Sequence, residues 1–512
     1  MLKQAALSIL ALASLTKLAG QSYFTTLSSN NLNATVNANG ILFNRGLEAP
    51  KGSGTKSISI SQFWIGGKSN GNLHIAARLN DSLKNDFWPG PIDTVNGNAG
   101  DSTFWNSIYK VSAAEIATHK TDYNKNGYIM PDGIKHWPGS NPTQQPFKQV
   151  LAKFVDYNAN RIYEPEMGEY PFIKGDEAAY FIVNDKANTH FASGGMPMGV
   201  EVQGLAYVYA NNPALANTVF LELTFINRST NNYDSVFAGV WTDFELGAKG
   251  DEYISSLPSK NAFFGYNSDT SDALYGTYPP VQGVLFLNRP LQYTIEIDAD
   301  GGVANRGLPQ SPQEFYNYLH RKWRNNIQLT EGANGFMSSA TPADFIYNGD
   351  PCNQGNPGWT EVGSAQAPGK RSMMGSIGPV QLPSNGFLRL ELAYVWERGT
   401  NGPLESICKL NNTLDAVKAY YNKFISSVDV AQPLQFGVYP NPAADYVEVK
   451  LPENVDLPAL VQVFDVQGKL LHTATVNETN QVINTQQLPA GMYTLQLTTQ
   501  NQSGYAKLMI AR

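Results

Sequence analysis

The chain has 512 residues, 42% of them hydrophobic, with a formal net charge of −7. That length accommodates a few domains of roughly 100–200 residues each, and no block of basic residues gives it the footprint that nucleic-acid binding requires. Only 15% of residues are charged, against about 25% in an average soluble protein, so Asn, Thr, Ser, Gln and Gly must supply the polar surface, a balance that with 26 Tyr and 24 Phe favours strands and turns.

The first 20 residues have the pattern of a secretory signal peptide: Lys3, an apolar run from Ala5 to Leu15, and a small-residue site at Ala19-Gly20. The run is too short to span a bilayer as a helix. Cleavage after Gly20 removes Lys3 and Lys17 and takes the charge from −7 to −9. No Cys lies near the cut, which argues against a bacterial lipid anchor. No later segment approaches 18 apolar residues, so no membrane span is expected in the mature chain.

Residues 21–425 form a β-rich ectodomain, either one unit or two subdomains divided near residue 200. "VEVQGLAYVYA" (200–210), "TVFLELTFIN" (218–227) and "FLRLELAYVWE" (387–397) alternate polar and apolar positions, the mark of strands with one face in a core. The fold class expected is mainly β: an antiparallel β-sandwich with few short helices. Helices are expected at 311–325, behind Ser311-Pro312, and at 410–425.

Two loops carry metal-ligand chemistry. In "FVDYNANRIYEPEMGEYP" (154–171), Asp156, Asn158 and Asn160 place hard oxygen donors at every second residue, as the first half of a calcium loop does. A carbonyl near Ile162 and the carboxylates of Glu164, Glu166 or Glu169 can complete the shell. Arg161 and Met167 stand where an EF-hand has Gly and Glu, so the loop belongs with the compact Asp/Asn loops of extracellular calcium modules. "DYNKNGYIMPDG" repeats the spacing with Asp122, Asn124 and Asn126, with Gly127 at the turn and Asp132 as the late carboxylate. Calcium is the expected cofactor. Asn/Asp turns bonded to their own backbone are the competing explanation, and Mg²⁺ fits less well because it demands strict octahedral geometry. A third cluster, Asp243, Glu245, Asp251 and Glu252, admits a glycosidase acid–base pair, calcium, or a polar strand end.

Other chemistry is sparse. The six His residues show no zinc spacing and each is expected on a surface loop. No nucleophile elbow, P-loop or dinucleotide fingerprint is present. Ser53 and Lys56 match S-x-x-K in a Gly/Ser turn without the helix that nucleophile needs. Trp88 and Trp137, beside Pro and Gly, can either form a sugar-stacking platform or plug the ends of sandwiches. The two cysteines of an exported chain point to a Cys352–Cys408 disulfide, free buried thiols being the alternative.

A linker at 426–435 leads into a compact unit at 436–512, whose strand pairs are joined by turns at Pro440-Asn441-Pro442, Gln467-Gly468 and Ala490-Gly491. It reads as a small immunoglobulin-like β-sandwich. Tyr439-Pro440-Asn441-Pro442, "VFDVQGKLL" (463–471), Gly491-Met492-Tyr493-Thr494-Leu495 and Lys507 resemble, in order, the type A C-terminal sorting domain of the type IX secretion system. The resemblance implies Pro440, Asn441, Pro442, Gly491, Tyr493 and Lys507 as sorting-motif residues and the secretion machinery as a partner. It also implies passage through the periplasm to the outer cell surface or medium, with attachment to surface lipopolysaccharide or release. Between 130 and 425, "GIKHWPG", the 154–185 stretch and "GPVQLPSNGFLRLELAYVWERG" are similar in their succession to large surface proteins with the same tail, which implies location and no activity.

The function expected is thus an exported, calcium-stabilised structural or adhesive β-protein contacting matrix or glycan. The alternatives are a secreted polysaccharide hydrolase using Asp243 or Glu245, and a non-catalytic carbohydrate-binding protein.

Overall fold

The computed structural model describes residues 22–79, 84–140, 147, 149–158, 160–267, 269–298, 305–425, 434–452, 455, 457–465, 470–499 and 503–511. The signal peptide, most of the 426–435 linker and the Gln467-Gly468 turn lie outside the described residues. The architecture is mainly β, as the alternation in sequence predicts.

Two antiparallel sheets build the ectodomain. The first runs Phe24–Leu27, Asn33–Asn37, Leu42–Glu48, Lys56–Ser69, Tyr233–Phe244, Ser372–Leu382, Tyr293–Glu296, with Asn72–Ala76 paired to Lys56–Ser69. The second runs Glu252–Leu257, Ala262–Asn267, Val281–Phe286, Phe387–Glu397, Thr218–Asn227, Val200–Val208, Glu177–Asn184, Trp88–Pro89, and Tyr109–Ser112 also pairs with Glu177–Asn184. Both sheets join strands from either side of residue 200.

The inward residues of both sheets meet in one core. Phe63 stacks on Phe181 with ring centroids 6.3 Å apart, and Trp64 on Trp241 at the same distance. Val202, Leu221, Leu223 and Leu390 from the second sheet are wholly or almost wholly buried there. Burying side chains of this size stabilises by about 1.5–3 kcal/mol each. Gly204 exists because Phe181 fills the space beside it: a Cβ would lie 2.1 Å from the ring.

The outer face of the second sheet carries two smaller clusters. Helix Pro403–Tyr420 lays Ile407, Leu410, Leu414 and Val417 over Phe220, Leu285, Ala393 and Val395. Trp105, Tyr109, Trp137, Tyr163, Tyr180 and Ile182 form the other cluster.

Both expected helices are present with different bounds: the first, Pro312–Leu319, ends short of 325, and the second begins at Pro403, seven residues before 410, and runs as an α-helix to Tyr420 and as a π-helix over Tyr421–Ile425. Sequence patterning missed Ala113–Asp122, because only Ile116 and His119 are buried on it and no apolar stripe shows. The signal it does carry is a capping box: the Ser112 side chain accepts from Glu115 N, and the Glu115 carboxylate accepts from Ser112 N.

The tail forms two sheets, Gly437–Tyr439, Tyr446–Lys450, Asn480–Asn484 and Leu470–Val476, Ala459–Phe464, Gly491–Thr498, Ser503–Ile510. Val447, Val449, Val461, Leu495, Leu497 and Leu508 give it a separate core. A compact sandwich is what its short, turn-punctuated strands predict.

Candidate functional site

The 156–169 loop closes on itself through its own acidic and amide groups. Asp156 Oδ2 accepts from Arg161 N at 2.8 Å, and Arg161 takes a positive φ of 63° to make that turn. Asn158 Oδ1 accepts from Asn160 N at 3.0 Å, and Asn160 Oδ1 from Ile162 N at 2.7 Å. Glu164 Oε2 accepts from the side-chain amides of Asn158 (3.1 Å) and Asn160 (2.7 Å). Glu169 is 1% exposed and receives Tyr157 N at 3.1 Å and Glu164 N at 2.8 Å. Asp156, Asn158, Asn160, Glu164 and Glu169 therefore share one turn.

Two features of this turn are electrostatically uneasy. No N–H group reaches the buried Asp156 Oδ1, which leaves the Asp156 carboxylate facing the Glu169 carboxyl, with which it can bond only through a shared proton. Burial, with the Asp156 carboxylate beside it, raises the Glu169 carboxyl above its ordinary range although two backbone N–H groups pull it down.

The 122–132 loop is arranged differently. Asp122 Oδ1 pairs with Lys125 Nζ at 2.6 Å and accepts from the Thr121 hydroxyl at 2.8 Å. Gly127 has the positive φ expected of the turn, 84°, and Asn124 and Asn126 are exposed. Asp132 opens the short helix Asp132–Lys135 and lies 3.9 Å from His136. His119 ties the two loops together, with Nε2 3.0 Å from the Glu169 carbonyl and Nδ1 3.1 Å from the Tyr128 hydroxyl. Among the described residues, no three His, Cys, Asp or Glu side chains converge on a point that could hold a metal. Any cation at either loop would draw on Asn and backbone oxygens as well.

The third acidic cluster is divided. Asp243 is 1% exposed, held in the strand Tyr233–Phe244, and Glu245 pairs with Lys249 at 3.4 Å. Glu252 is buried, accepting from Leu246 N (3.2 Å) and Gly250 N (2.9 Å). Asp251 Oδ1 is buried without a partner.

His119 and His190 correct the expectation that every histidine sits on a surface loop. Both are buried, His190 with Nδ1 2.8 Å from Ile75 O and Nε2 2.6 Å from Asp185 O. Each is held partly by a distant backbone carbonyl, Glu169 O for His119 and Ile75 O for His190, and local sequence gives no sign of these. Trp88 and Trp137 line separate clefts, Trp88 beside His190 and Trp137 against Tyr180, with centroid distances of 6.0 and 5.1 Å. Cys352 and Cys408 are joined in a disulfide with a Cα–Cα distance of 5.4 Å.

Sequence reasoning missed the polar groups in the Trp137 cleft. Lys174 Nζ lies 2.8 Å from Glu222 Oε2 and 3.2 Å from Glu391 Oε2. Glu222 and Glu391 stand opposite each other on adjacent strands. A partial signal was present as charged residues inside apolar strands, Glu222 in "FLELTF" and Arg389 and Glu391 in "RLELAY".

In the tail, Asn441 Nδ2 donates to Lys507 O at 2.6 Å and its Oδ1 accepts from Met509 N at 2.9 Å. Gly491 and Lys507 lie on the paired strands Gly491–Thr498 and Ser503–Ile510, and the Tyr493 hydroxyl donates to Pro489 O at 2.7 Å. Pro440 and Pro442 flank Asn441.

Residues 437–511 match the family model described as the secretion system C-terminal sorting domain. A search of the curated proteins finds no match. Solved structures with some likeness include a polysaccharide lyase (9% identity, 73% of this chain, 42% of that chain, TM-score 0.21). Others are dimeric latent PorU from Porphyromonas gingivalis (11%, 66% and 32%, TM-score 0.14) and the BSP domain of a biofilm associated protein (10%, 97% and 82%, TM-score 0.14). This chain spans less than half the length of the first two. Superpositions this poor carry neither fold nor activity across, and the likeness of residues 130–425 to other surface proteins gains no support from them. The tail alone identifies the chain's route: residues 437–511 are a type IX secretion sorting domain, and the protein is one secreted by that system or displayed at the outer cell surface.

Proposed function

We propose that the exported ectodomain is a structural or adhesive β-protein, working by contact with matrix or glycan, and that calcium at the 156–169 loop stabilises it. The observation that carries the calcium reading is the pair of acids itself: no N–H group reaches the buried Asp156 Oδ1, and the Asp156 and Glu169 carboxyls face each other closely enough to bond through a shared proton. A cation between them would take the place of that proton and relieve the repulsion between the two acids. The donors are hard oxygens from Asp, Asn and Glu, which suit calcium. Asp156 and Glu169 would provide charge, and Asn158, Asn160 and Glu164 would join them by exchanging their present hydrogen bonds for the ion. Contact is favoured over turnover because Asp243, a member of the alternative acid pair, is closed off in its strand.

The test is a thermal melt of the full chain after chelation and again in millimolar calcium. Binding to the folded state alone at 100 times Kd contributes about 2.7 kcal/mol, which predicts a rise of several degrees. Asp156→Ala combined with Glu169→Gln should remove the rise. An unchanged midpoint in calcium, or an undiminished rise in the double variant, refutes the calcium site.

A further inference from the structure

Separate stretches of the chain meet around Trp88, and each is held in place. The strand Trp88–Pro89 pairs with Val183 and Asn184, and the Asn184 side-chain amide donates to Gly90 O at 2.8 Å, which fixes the backbone beneath the indole. The segment carrying Tyr23 is tied down twice: Ile108 N donates to Ser22 O at 3.0 Å, and Ala38 N to Tyr23 O at 2.8 Å. The Asn85 side chain is locked as well. Its Oδ1 accepts from Phe87 N at 2.8 Å and from Arg78 Nε at 2.7 Å, and its Nδ2 donates to Phe87 O at 2.6 Å.

A cleft of about 280 Å³ opens to solvent between these stretches. Tyr23 and Trp88 supply aromatic surface, and Asn39, Ser102 and Thr103 supply polar groups beside it. Tyr23 is 57% exposed and Trp88 is half-buried. Among the described residues, none gives a hydrogen bond to Trp88 Nε1, Asn39 Nδ2 or the Ser102 and Thr103 hydroxyls, so these groups remain available. None of the described residues lining the cleft is charged. Arg78 lies beneath it, buried, with its N–H groups on Asn39 O, Asn85 Oδ1 and Phe87 O and with buried Asp86 as its counter-charge. Lys84 and Asp101, the charged sequence neighbours of Asn85 and Ser102, are exposed and opposite in sign.

We propose that the Trp88 cleft binds a neutral sugar ring, one glycosyl unit of a glycan. Aromatic faces beside a few convergent polar groups suit a ring that is apolar across its face and hydroxylated around its rim. The indole N–H, the Asn39 amide and the two hydroxyls are free to meet that rim. An ionic ligand would find no counter-charge on the walls. A purely apolar ligand would strip water from the amide and hydroxyl groups and give no hydrogen bond in return. The volume sits at the lower edge of ligand pockets, about 300–1,000 Å³, so the cleft takes a single ring and a longer glycan runs out over the rim.

The inference rests on the contact role proposed above and names its ligand class. The test titrates the chain from Gln21 onward with neutral hexasaccharides (cellohexaose, maltohexaose, xylohexaose and mannohexaose) and with hexagalacturonate as the charged control, following heat and tryptophan fluorescence. At least one neutral hexasaccharide should bind, and hexagalacturonate should bind more weakly or not at all. Trp88→Ala and Tyr23→Ala should each weaken the binding by about tenfold, whereas Tyr23→Phe, which keeps the ring, should retain it. Tyr23 is exposed, so a folded variant is in hand even if Trp88→Ala misfolds. Absence of binding by all four neutral sugars, binding of hexagalacturonate as tight as theirs, or unchanged affinity in Tyr23→Ala overturns the proposal. If the calcium-dependent melt persists while the sugars fail, the cleft assignment falls and the calcium-stabilised reading stands.

Discussion

Asn441 and Lys507 are 66 residues apart, yet the Asn441 side-chain amide donates to the Lys507 carbonyl and its oxygen receives the Met509 N–H. The turn that opens the sorting domain thereby clamps its last strand. Two of the residues marked out by the tail's resemblance meet at this clamp, which gives the motif a mechanical reason.

Replacing Asn441 with Ala removes both bonds at an exposed site, a loss of about 1–2 kcal/mol from the tail. Hydrogen exchange at the Met509 amide should accelerate, and the surface fraction of the protein should fall. Deleting 436–512 should leave the protein in the periplasm, and normal display of that truncation would refute the sorting role.

Glu252 predicts a pH dependence. Burial, followed by the neighbouring Asp251 carboxylate, pushes its carboxyl from 4.5 to about 7 against the backbone N–H of Gly250. The folded state then holds a proton that the unfolded state releases between these two values, so stability declines as pH rises from 4.5 to about 7. The decline from this group is at most about 3 kcal/mol at 1.36 kcal/mol per pKa unit. Urea melts across this range should show a shallower slope in Glu252→Gln than in the wild type. Parallel slopes would mean Glu252 does not titrate there.

The Cys352–Cys408 disulfide fastens the 350–360 turns to helix Pro403–Tyr420, across a separation of 56 residues. On the chain-entropy model, closing such a loop contributes about 4 kcal/mol. Reduction, or Cys352→Ser with Cys408→Ser, should lower the denaturant midpoint accordingly without changing the far-ultraviolet spectrum in the absence of denaturant.

Lys174→Met would leave Glu222 and Glu391 facing each other in a buried setting. Breaking a buried ion pair from one side costs about 3–5 kcal/mol. Adding Glu222→Gln should return part of that loss, since it removes one of the two like charges left face to face, although Arg389 lies 3.5 Å from Glu222. A double variant no more stable than Lys174→Met would show that repulsion is not the cause.

The sequence by itself determined the β class, the sites of the two main helices and the tail. These depend on local regularities: period-two alternation along a strand, Pro after Ser at a helix start, and Pro, Asn and Gly at turns. It also placed Asp156, Asn158, Asn160, Glu164 and Glu169 within one short segment, where a single turn suffices to gather them. Only the tertiary structure decided which polar strand positions are buried. Gln203, Glu222, Thr224 and Glu391 alternate with core residues as a solvent-facing row would; charged residues inside the apolar runs "FLELTF" and "RLELAY" mark the strands but do not tell a buried row from an exposed one. These four positions became buried or half-buried because Trp137, residues 150–153, residues 172–174 and helix Pro403–Tyr420, distant in sequence, cover the sheet on either side. The burial of His119 and His190 and the enclosure of Asp243 have the same origin: long-range packing, which the identity of neighbouring residues does not encode.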